Sequence, residues 1–177
     1  MLELPQDQYH ALSTITTYMG KNDGIRWPYY FMTGSAVTGK SYIINLIVNI
    51  LKNILKNRRS RFLLLAPTGV SAQTIGGKTI HSELSIISTQ GRFRTCAFTN
   101  TDLNTRLKKV DTIIIDEVLM VSAKLLDFMS NIFARIHNNA VPFGRINILA
   151  PLPPVTSQPV FHSTVWSLFY PLLLTVP

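Results

Sequence analysis

The feature that most constrains this chain is a glycine-rich segment, residues 34–41, which reads Gly-Ser-Ala-Val-Thr-Gly-Lys-Ser. It fits the pattern G-x-x-x-x-G-K-[ST], whose glycines let backbone N–H groups approach a polyphosphate. A β-rich run precedes it at residues 29–33, and an apolar run with helical period follows it at residues 42–55. In this order of strand, loop and helix, the N-terminus of the helix would also face the phosphates of a bound nucleotide. The segment therefore predicts a nucleotide-binding loop, and the alternative is an ordinary strand-to-helix turn with an exposed lysine.

The two polar residues that end this segment have distinct predicted roles. Lys40 is expected to reach the β- and γ-phosphates as a point charge, and the Ser41 hydroxyl is expected to bind Mg²⁺. ATP and Mg²⁺ are the predicted cofactors. The residues predicted to bind the nucleotide here are Gly34, Ser35, Ala36, Val37, Thr38, Gly39, Lys40 and Ser41.

A second pattern is the run Thr-Ile-Ile-Ile-Asp-Glu at residues 112–117. It predicts a buried parallel strand that ends in two carboxylates at the ligand-binding edge of a sheet. In a protein with a nucleotide-binding loop, Asp116 would orient the Mg²⁺ shell and Glu117 would take a proton from an attacking water. We therefore predict Lys40, Asp116 and Glu117 as catalytic residues, and Ser41 and Asp116 as metal ligands. Taken alone, the acidic pair could equally end an ordinary strand.

The apolar run at residues 62–66 predicts another buried strand, and the loops that follow it are candidates for binding nucleic acid. For His81, a local capping role is an equally good interpretation. The chain carries 17 Lys and Arg against 9 Asp and Glu, a formal charge of +8, which favours an anionic partner or simply a soluble basic surface. The candidate nucleic-acid contacts are Pro67, Thr68, Gly69, Lys78, Thr79 and His81.

The rest of the sequence predicts a single α/β domain spanning residues 1–177. Helices are expected at residues 6–19, 70–75, 103–110, 122–137 and 164–170, and a further strand at 145–150. Residues 86–100 show no convincing period and are expected to form an irregular excursion. Cys96 is the only cysteine, which fits a reducing compartment, and we expect it to be half-buried. We expect no secretory signal and no membrane span.

These motifs together resemble the PIF-one-like (petite integration frequency) DNA helicases, motors of superfamily one. Gln8 resembles the adenine-reading Q motif, and residues 34–41 resemble motif I. Residues 66–82 resemble motif Ia with its extension, residues 116–122 resemble motif II, and residues 152–155 resemble the end of motif III. The resemblance implies a three-layer RecA-like α/β fold with a mostly parallel sheet, incomplete at its C-terminal end. It also implies a monomer that uses ATP to unwind DNA 5′-to-3′ along a single strand, in repair, recombination and genome maintenance. The location would be nuclear or mitochondrial in a eukaryote, and otherwise cytoplasmic.

Three departures from the family pattern lower the expected activity. Val37 stands where the family usually has glycine, and a β-branched residue at positive φ costs about 1–3 kcal/mol. Pro151 replaces the glutamine of motif III in a shortened segment, which we expect to pack badly. We also expect these 177 residues to lack the second RecA-like domain of the family. We therefore expect weak Mg-ATP binding and very slow hydrolysis, and the alternative is a non-catalytic remnant that binds single-stranded nucleic acid.

Overall fold

A computed structural model describes residues 5–20, 29–33, 40–54, 62–151 and 172–175 of the chain. The helices are α1 Gln6–Gly20, α2 Lys40–Ile54, α3 Gly69–Thr74, α4 Ile80–Glu83, α5 Thr101–Lys108 and α6 Ala123–Ile136, with short 3-10 helices at Val118–Met120 and Pro142–Arg145. The strands are β1 Tyr29–Thr33, β2 Phe62–Ala66, β3 Lys78–Thr79, β4 Ile86–Thr89, β5 Arg92–Thr95, β6 Thr112–Ile115, β7 Asn147–Pro151 and β8 Leu172–Thr175.

Six of these strands form one parallel sheet in the order β3-β2-β6-β7-β1-β8. β6 lies between β2 and β7, and all four of its residues are buried, as its three consecutive isoleucines predict. The predicted strands at residues 29–33 and 62–66 are confirmed with those bounds. β7 lies between β6 and β1, so the strand before the glycine-rich loop and the strand before the acidic pair are next-nearest neighbours.

Helices cover both faces of this sheet, so the predicted three-layer architecture is confirmed. On one face, Leu65 and Ile113 pack in a core that includes Phe133 of α6. On the other face, Ile114 packs with Ile47 of α2. Alternate residues of β6 therefore enter opposite cores, because successive strand side chains point to opposite faces. The apolar stripe that predicted α6 is the stripe that it buries.

Residues 86–100, which we expected to be irregular, contain a β-hairpin. β4 and β5 pair antiparallel from Ile86↔Thr95 to Thr89↔Arg92. The two residues between them, Gln90 and Gly91, have φ of 50° and 71°. Positive φ at both positions is what a two-residue type I′ hairpin turn requires. The sequence did carry a signal: in Arg-Phe-Arg-Thr the two arginines are exposed and alternate with two partly buried residues.

Two other expectations are wrong, and a third concerns residues that the structure does not describe. β7 continues through Pro151, and Leu149, Ala150 and Pro151 are all buried, so the prediction that this segment packs badly is wrong. Pro151 is the last residue of the strand, where a missing N–H interrupts the ladder least. Cys96 is exposed rather than half-buried. The predicted helix at residues 164–170 lies outside the described residues, and none of the helices within them is long and apolar enough to span a bilayer.

Candidate nucleotide and nucleic-acid site

The candidate site lies along the edge of the sheet where its parallel strands end. The acidic pair follows β6, and the segment from Pro67 follows β2. Lys40 and Ser41 are the first two residues of α2, which follows β1, and Gln8 lies in the first turn of α1. The side chains of these three residues, and all of residues 34–39, lie outside what the structure describes. Strand direction thus brings the acidic pair and the segment from Pro67 to one edge of the sheet, the edge at which β1 also ends.

Asp116 is fixed where β2 and β6 end together. Its backbone N–H donates to the carbonyl oxygen of Leu65 at 2.9 Å, and its Oδ1 accepts the N–H of Glu117 at 3.0 Å. Burial raises the pKa of the Asp116 carboxyl; the Glu117 N–H bond opposes this rise, and the Glu117 charge adds to it. Ionising this partly buried carboxyl group costs free energy, and a bound cation would offset that cost. Asp116 therefore fits its predicted role as a magnesium ligand.

Glu117 turns away from the strand and contacts the segment that follows β2. Its backbone has a φ of 49° and a ψ of 41°, in the left-handed region that few non-glycine residues adopt. Its Oε2 accepts a hydrogen bond from the Ser71 hydroxyl of α3. The Glu117 carboxylate, which is predicted to activate water, is therefore hydrogen-bonded to the segment that is predicted to contact nucleic acid.

Thr68 organises the start of α3. Its hydroxyl oxygen accepts the N–H of Ser71 at 3.2 Å, which makes Thr68 the N-cap of this helix. The same oxygen lies 2.8 Å from the Ser71 hydroxyl oxygen. Pro67 is partly buried and Gly69 is exposed. These three predicted nucleic-acid contacts form one short turn from β2 into α3.

Lys78 and Thr79 form β3 and His81 lies in α4, so these residues make a second turn, from strand into helix, beside the first. Thr79 caps α4 by accepting the N–H of Ser82 at 3.3 Å. The His81 ring lies edge-on to Phe93 of the hairpin, with ring centroids 6.4 Å apart. Lys78 is exposed, but its Nζ lies 3.1 Å from the Glu83 carboxylate. This lysine, predicted to contact phosphate, is thus already paired within the protein.

Ser71 and Glu83 are two residues that the sequence analysis missed. Glu83 has a side chain that is only 6% exposed, and it pairs with Arg106 of α5 as well as with Lys78. Ser71 bonds a residue 46 positions away. Ser71 lies inside the segment that resembles motif Ia, and Glu83 directly follows that segment, but neither is one of the residues that carry the resemblance. A lone serine or glutamate in a short helix carries no pattern that would have predicted these contacts.

No group of three or more His, Cys, Asp and Glu side chains suited to a metal ion occurs in the part of the chain that the structure describes. A magnesium site of the predicted kind does not need such a group. Mg²⁺ commonly keeps several waters and takes one or two protein ligands together with phosphate oxygens. One carboxylate, Asp116, and one hydroxyl, Ser41, would meet that requirement.

A parallel α/β sheet in this order, covered by helices on both faces, defines the RecA-like class of P-loop domain. The PIF1-like helicase family model matches residues 3–164. The chain therefore belongs to the PIF1-like helicase family.

Individual relatives support this assignment. The chain is 33% identical over 151 residues to the ATP-dependent DNA helicase RRM3 of Saccharomyces cerevisiae, covering 77% of this chain and 21% of that protein. It is 33% identical over 156 residues to the human ATP-dependent DNA helicase PIF1, covering 81% of this chain and 23% of that protein. The chain thus spans well under half the length of these relatives.

Solved structures agree on the fold. The crystal structure of Pif1 helicase from Candida albicans matches 99% of this chain and 40% of its own chain, with a TM-score of 0.76 and 28% identity. A Bacteroides Pif1 helicase, crystallised with ADP-AlF3 and single-stranded DNA, matches 89% of this chain and 35% of its own chain, with a TM-score of 0.65 and 24% identity.

Proposed function

We propose that this chain forms an ATP-binding motor domain of a DNA helicase that moves 5′-to-3′ along single-stranded DNA. The proposal rests on the hydrogen bond between Asp116 and Leu65, 2.9 Å long, which joins the ends of β6 and β2. Because these strands are neighbours, the acidic pair and the Thr68 turn lie side by side. A nucleotide site that adjoins a nucleic-acid site is what a DNA-driven ATPase needs, and relatives of the chain are named ATP-dependent DNA helicases.

The proposed roles follow the chemistry of each group. Lys40 and the backbone of residues 34–39 would bind the polyphosphate of ATP, and Gln8 would bind its adenine. Ser41 and Asp116 would hold Mg²⁺, which supplies charge neutralisation at the phosphates when it is bound. Glu117 would accept the proton of the attacking water. Substituting any of these side chains should lower the rate of ATP hydrolysis and leave the fold intact.

Single-stranded DNA would be bound by the two turns after β2 and β3. Their candidate contacts are Pro67, Thr68, Gly69, Lys78, Thr79 and His81, and the excess of positive charge on the chain would strengthen the attraction to phosphates. The proposed role of this activity is in DNA repair, recombination and genome maintenance, in the nucleus or mitochondrion if the source is a eukaryote and otherwise in the cytoplasm. The proposed working unit is a monomer in which residues 1–177 form one RecA-like domain.

ATP and oligo(dT) binding by the purified chain test this proposal. We expect weak Mg-ATP binding and slow turnover that oligo(dT) stimulates, and Lys40→Ala should abolish both without changing the circular dichroism spectrum. Val37→Gly should tighten ATP binding, because glycine removes the strain predicted in the loop. An oligo(dT) affinity that falls steeply with salt, ignores ATP and accompanies no turnover would instead favour the non-catalytic remnant.

A further inference from the structure

Three oxygen atoms form a continuous row between the Thr68 turn and the acidic pair. The Thr68 hydroxyl oxygen lies 2.8 Å from the Ser71 hydroxyl oxygen, and the Ser71 hydroxyl donates to Oε2 of Glu117. Ser71 is 8% exposed, so water competes little for its hydroxyl. The row therefore connects a predicted phosphate contact to the predicted catalytic base through one buried serine.

The direction of the hydrogen bonds in this row is fixed by counting protons. An ionised carboxylate only accepts, so the single Ser71 hydroxyl proton points to Glu117. The Ser71 oxygen must then accept from its other neighbour, and the single hydroxyl proton of Thr68 points to Ser71. The Thr68 oxygen meanwhile accepts the Ser71 N–H at 3.2 Å. Hydrogen bonds in such a chain strengthen one another, so Thr68 reinforces the bond from Ser71 to Glu117.

A phosphate oxygen at Thr68 would compete for that proton. Phosphate oxygens accept hydrogen bonds, so binding to the Thr68 hydroxyl requires its proton to turn away from Ser71. Ser71 then loses the bond that reinforced its hold on Glu117. The proton stays on Thr68 throughout, and only the direction of its hydrogen bond changes.

We infer that Ser71 is a positioning residue that restrains Glu117 until a nucleic-acid phosphate occupies the Thr68 turn. This inference rests on the proposed function, because it assumes that Thr68 contacts phosphate and that Glu117 acts on water. While Ser71 occupies one of its oxygens, Glu117 has one fewer acceptor for the proton of a water molecule. DNA binding would thus raise ATP turnover through three named atoms, with no movement of the sheet.

The Glu117 carboxylate can be observed directly, without ATP or metal. The chain has three glutamates, Glu3, Glu83 and Glu117, so selective carbon-13 labelling gives three side-chain carboxyl resonances. Glu117→Gln removes one of them and so assigns it. We expect the Glu117 resonance to move as oligo(dT) is added. In Ser71→Ala it should already be displaced before DNA is added, and oligo(dT) should move it by less than half as much.

Two further variants separate this coupling from a structural effect. Ser71→Thr keeps a hydroxyl and should preserve the DNA-dependent movement. Thr74→Val removes another hydroxyl of α3, which is exposed and bonds the Val70 carbonyl at 3.1 Å, and it should change nothing. Ser71→Ala should leave the oligo(dT) dissociation constant within about twofold, while it raises turnover without DNA and lowers the stimulation by DNA about five- to tenfold.

The outcomes distinguish this inference from the function on which it rests. Oligo(dT) that binds but leaves the Glu117 resonance unmoved, or moves it equally in Ser71→Ala, would overturn the role of Ser71 and leave the proposed function standing. A chain that does not bind oligo(dT) at all would contradict both. Movement that Ser71→Ala removes and Ser71→Thr keeps would support the inference.

Discussion

Arg106 donates hydrogen bonds to both the carboxylate and the backbone carbonyl of Glu83, the latter at 3.2 Å. The Glu83 carboxylate is buried and also pairs with Lys78, so one acidic side chain joins β3, α4 and α5. A buried carboxylate is costly unless it is paired, and here two cations share it. This ion-pair cluster fixes the second turn, whose residues are candidate nucleic-acid contacts, to the body of the domain.

Removing the Glu83 charge should destabilise the fold. Glu83→Gln keeps the shape but removes the charge that pairs with Arg106 and Lys78, and we expect the free energy of unfolding to fall by about 1–3 kcal/mol. Urea denaturation measures this change. Asp102→Asn is the matched control, because Asp102 is an exposed acid in the first turn of α5, and its removal should cost less than about 0.5 kcal/mol. Equal costs for the two variants would contradict the proposed role of the cluster.

Lys78 should become more available to DNA in the same variant. In the native protein its ammonium group is 3.1 Å from Glu83. Glu83→Gln releases this lysine, so oligo(dT) should bind more tightly at low salt. The slope of log affinity against log salt concentration should steepen by about 0.7 for one more phosphate contact on a single strand. In the double variant Glu83→Gln, Lys78→Ala, the slope should return to its wild-type value. A slope that stays steep would show that another cation is responsible.

Gly77 occupies a position where a side chain cannot fit. A Cβ atom added there would overlap the carbonyl oxygen of Leu64 and lie 2.7 Å from its Cβ, so Gly77→Ala must push β3 away from β2. We expect a loss of about 1–3 kcal/mol in unfolding free energy, together with weaker oligo(dT) binding. Gly69→Ala is the control for stability, because a Cβ there meets no atom within 4 Å. Thermal unfolding that ranks Gly69→Ala as the more harmful change would contradict this account.

Asp116 should be functionally necessary but unfavourable for stability. Burial raises its pKa in the folded protein, so its ionised form destabilises the fold at neutral pH, and this cost disappears as the pH falls through the raised pKa toward the unfolded value of about 3.9. Asp116→Asn should therefore be slightly more stable than wild type at pH 7.5, by less than about 1 kcal/mol because the group is only partly buried. The gain should vanish near pH 4.

Differences in melting temperature at the two pH values measure this effect. Asp127→Asn, an exposed acid on α6, should show no such pH-dependent gain. Asp116→Asn should also lose the magnesium dependence of ATP binding. A variant that is less stable than wild type at pH 7.5 would show that the carboxylate of Asp116 supports the fold.

Local sequence patterns determined most of the secondary structure. The run before Asp116 is apolar because β6 is buried on both faces, and the period of α6 is the period of its contact with the sheet. Both patterns follow from the geometry of a single element, so they can be recognised without knowing its neighbours. The resemblance of the motifs identified the family for the same reason, since each motif is a short continuous segment.

Only the tertiary structure decided which residues meet. Ser71 and Glu117 are 46 positions apart, and Glu83 and Arg106 are 23 apart, so no periodicity links them. The pairing of β4 with β5 depends on two consecutive positive-φ residues, of which only Gly91 is a usual turn residue. Sequence fixes what a segment can form, whereas a hydrogen bond between distant side chains exists only once the strands between them have been ordered in space.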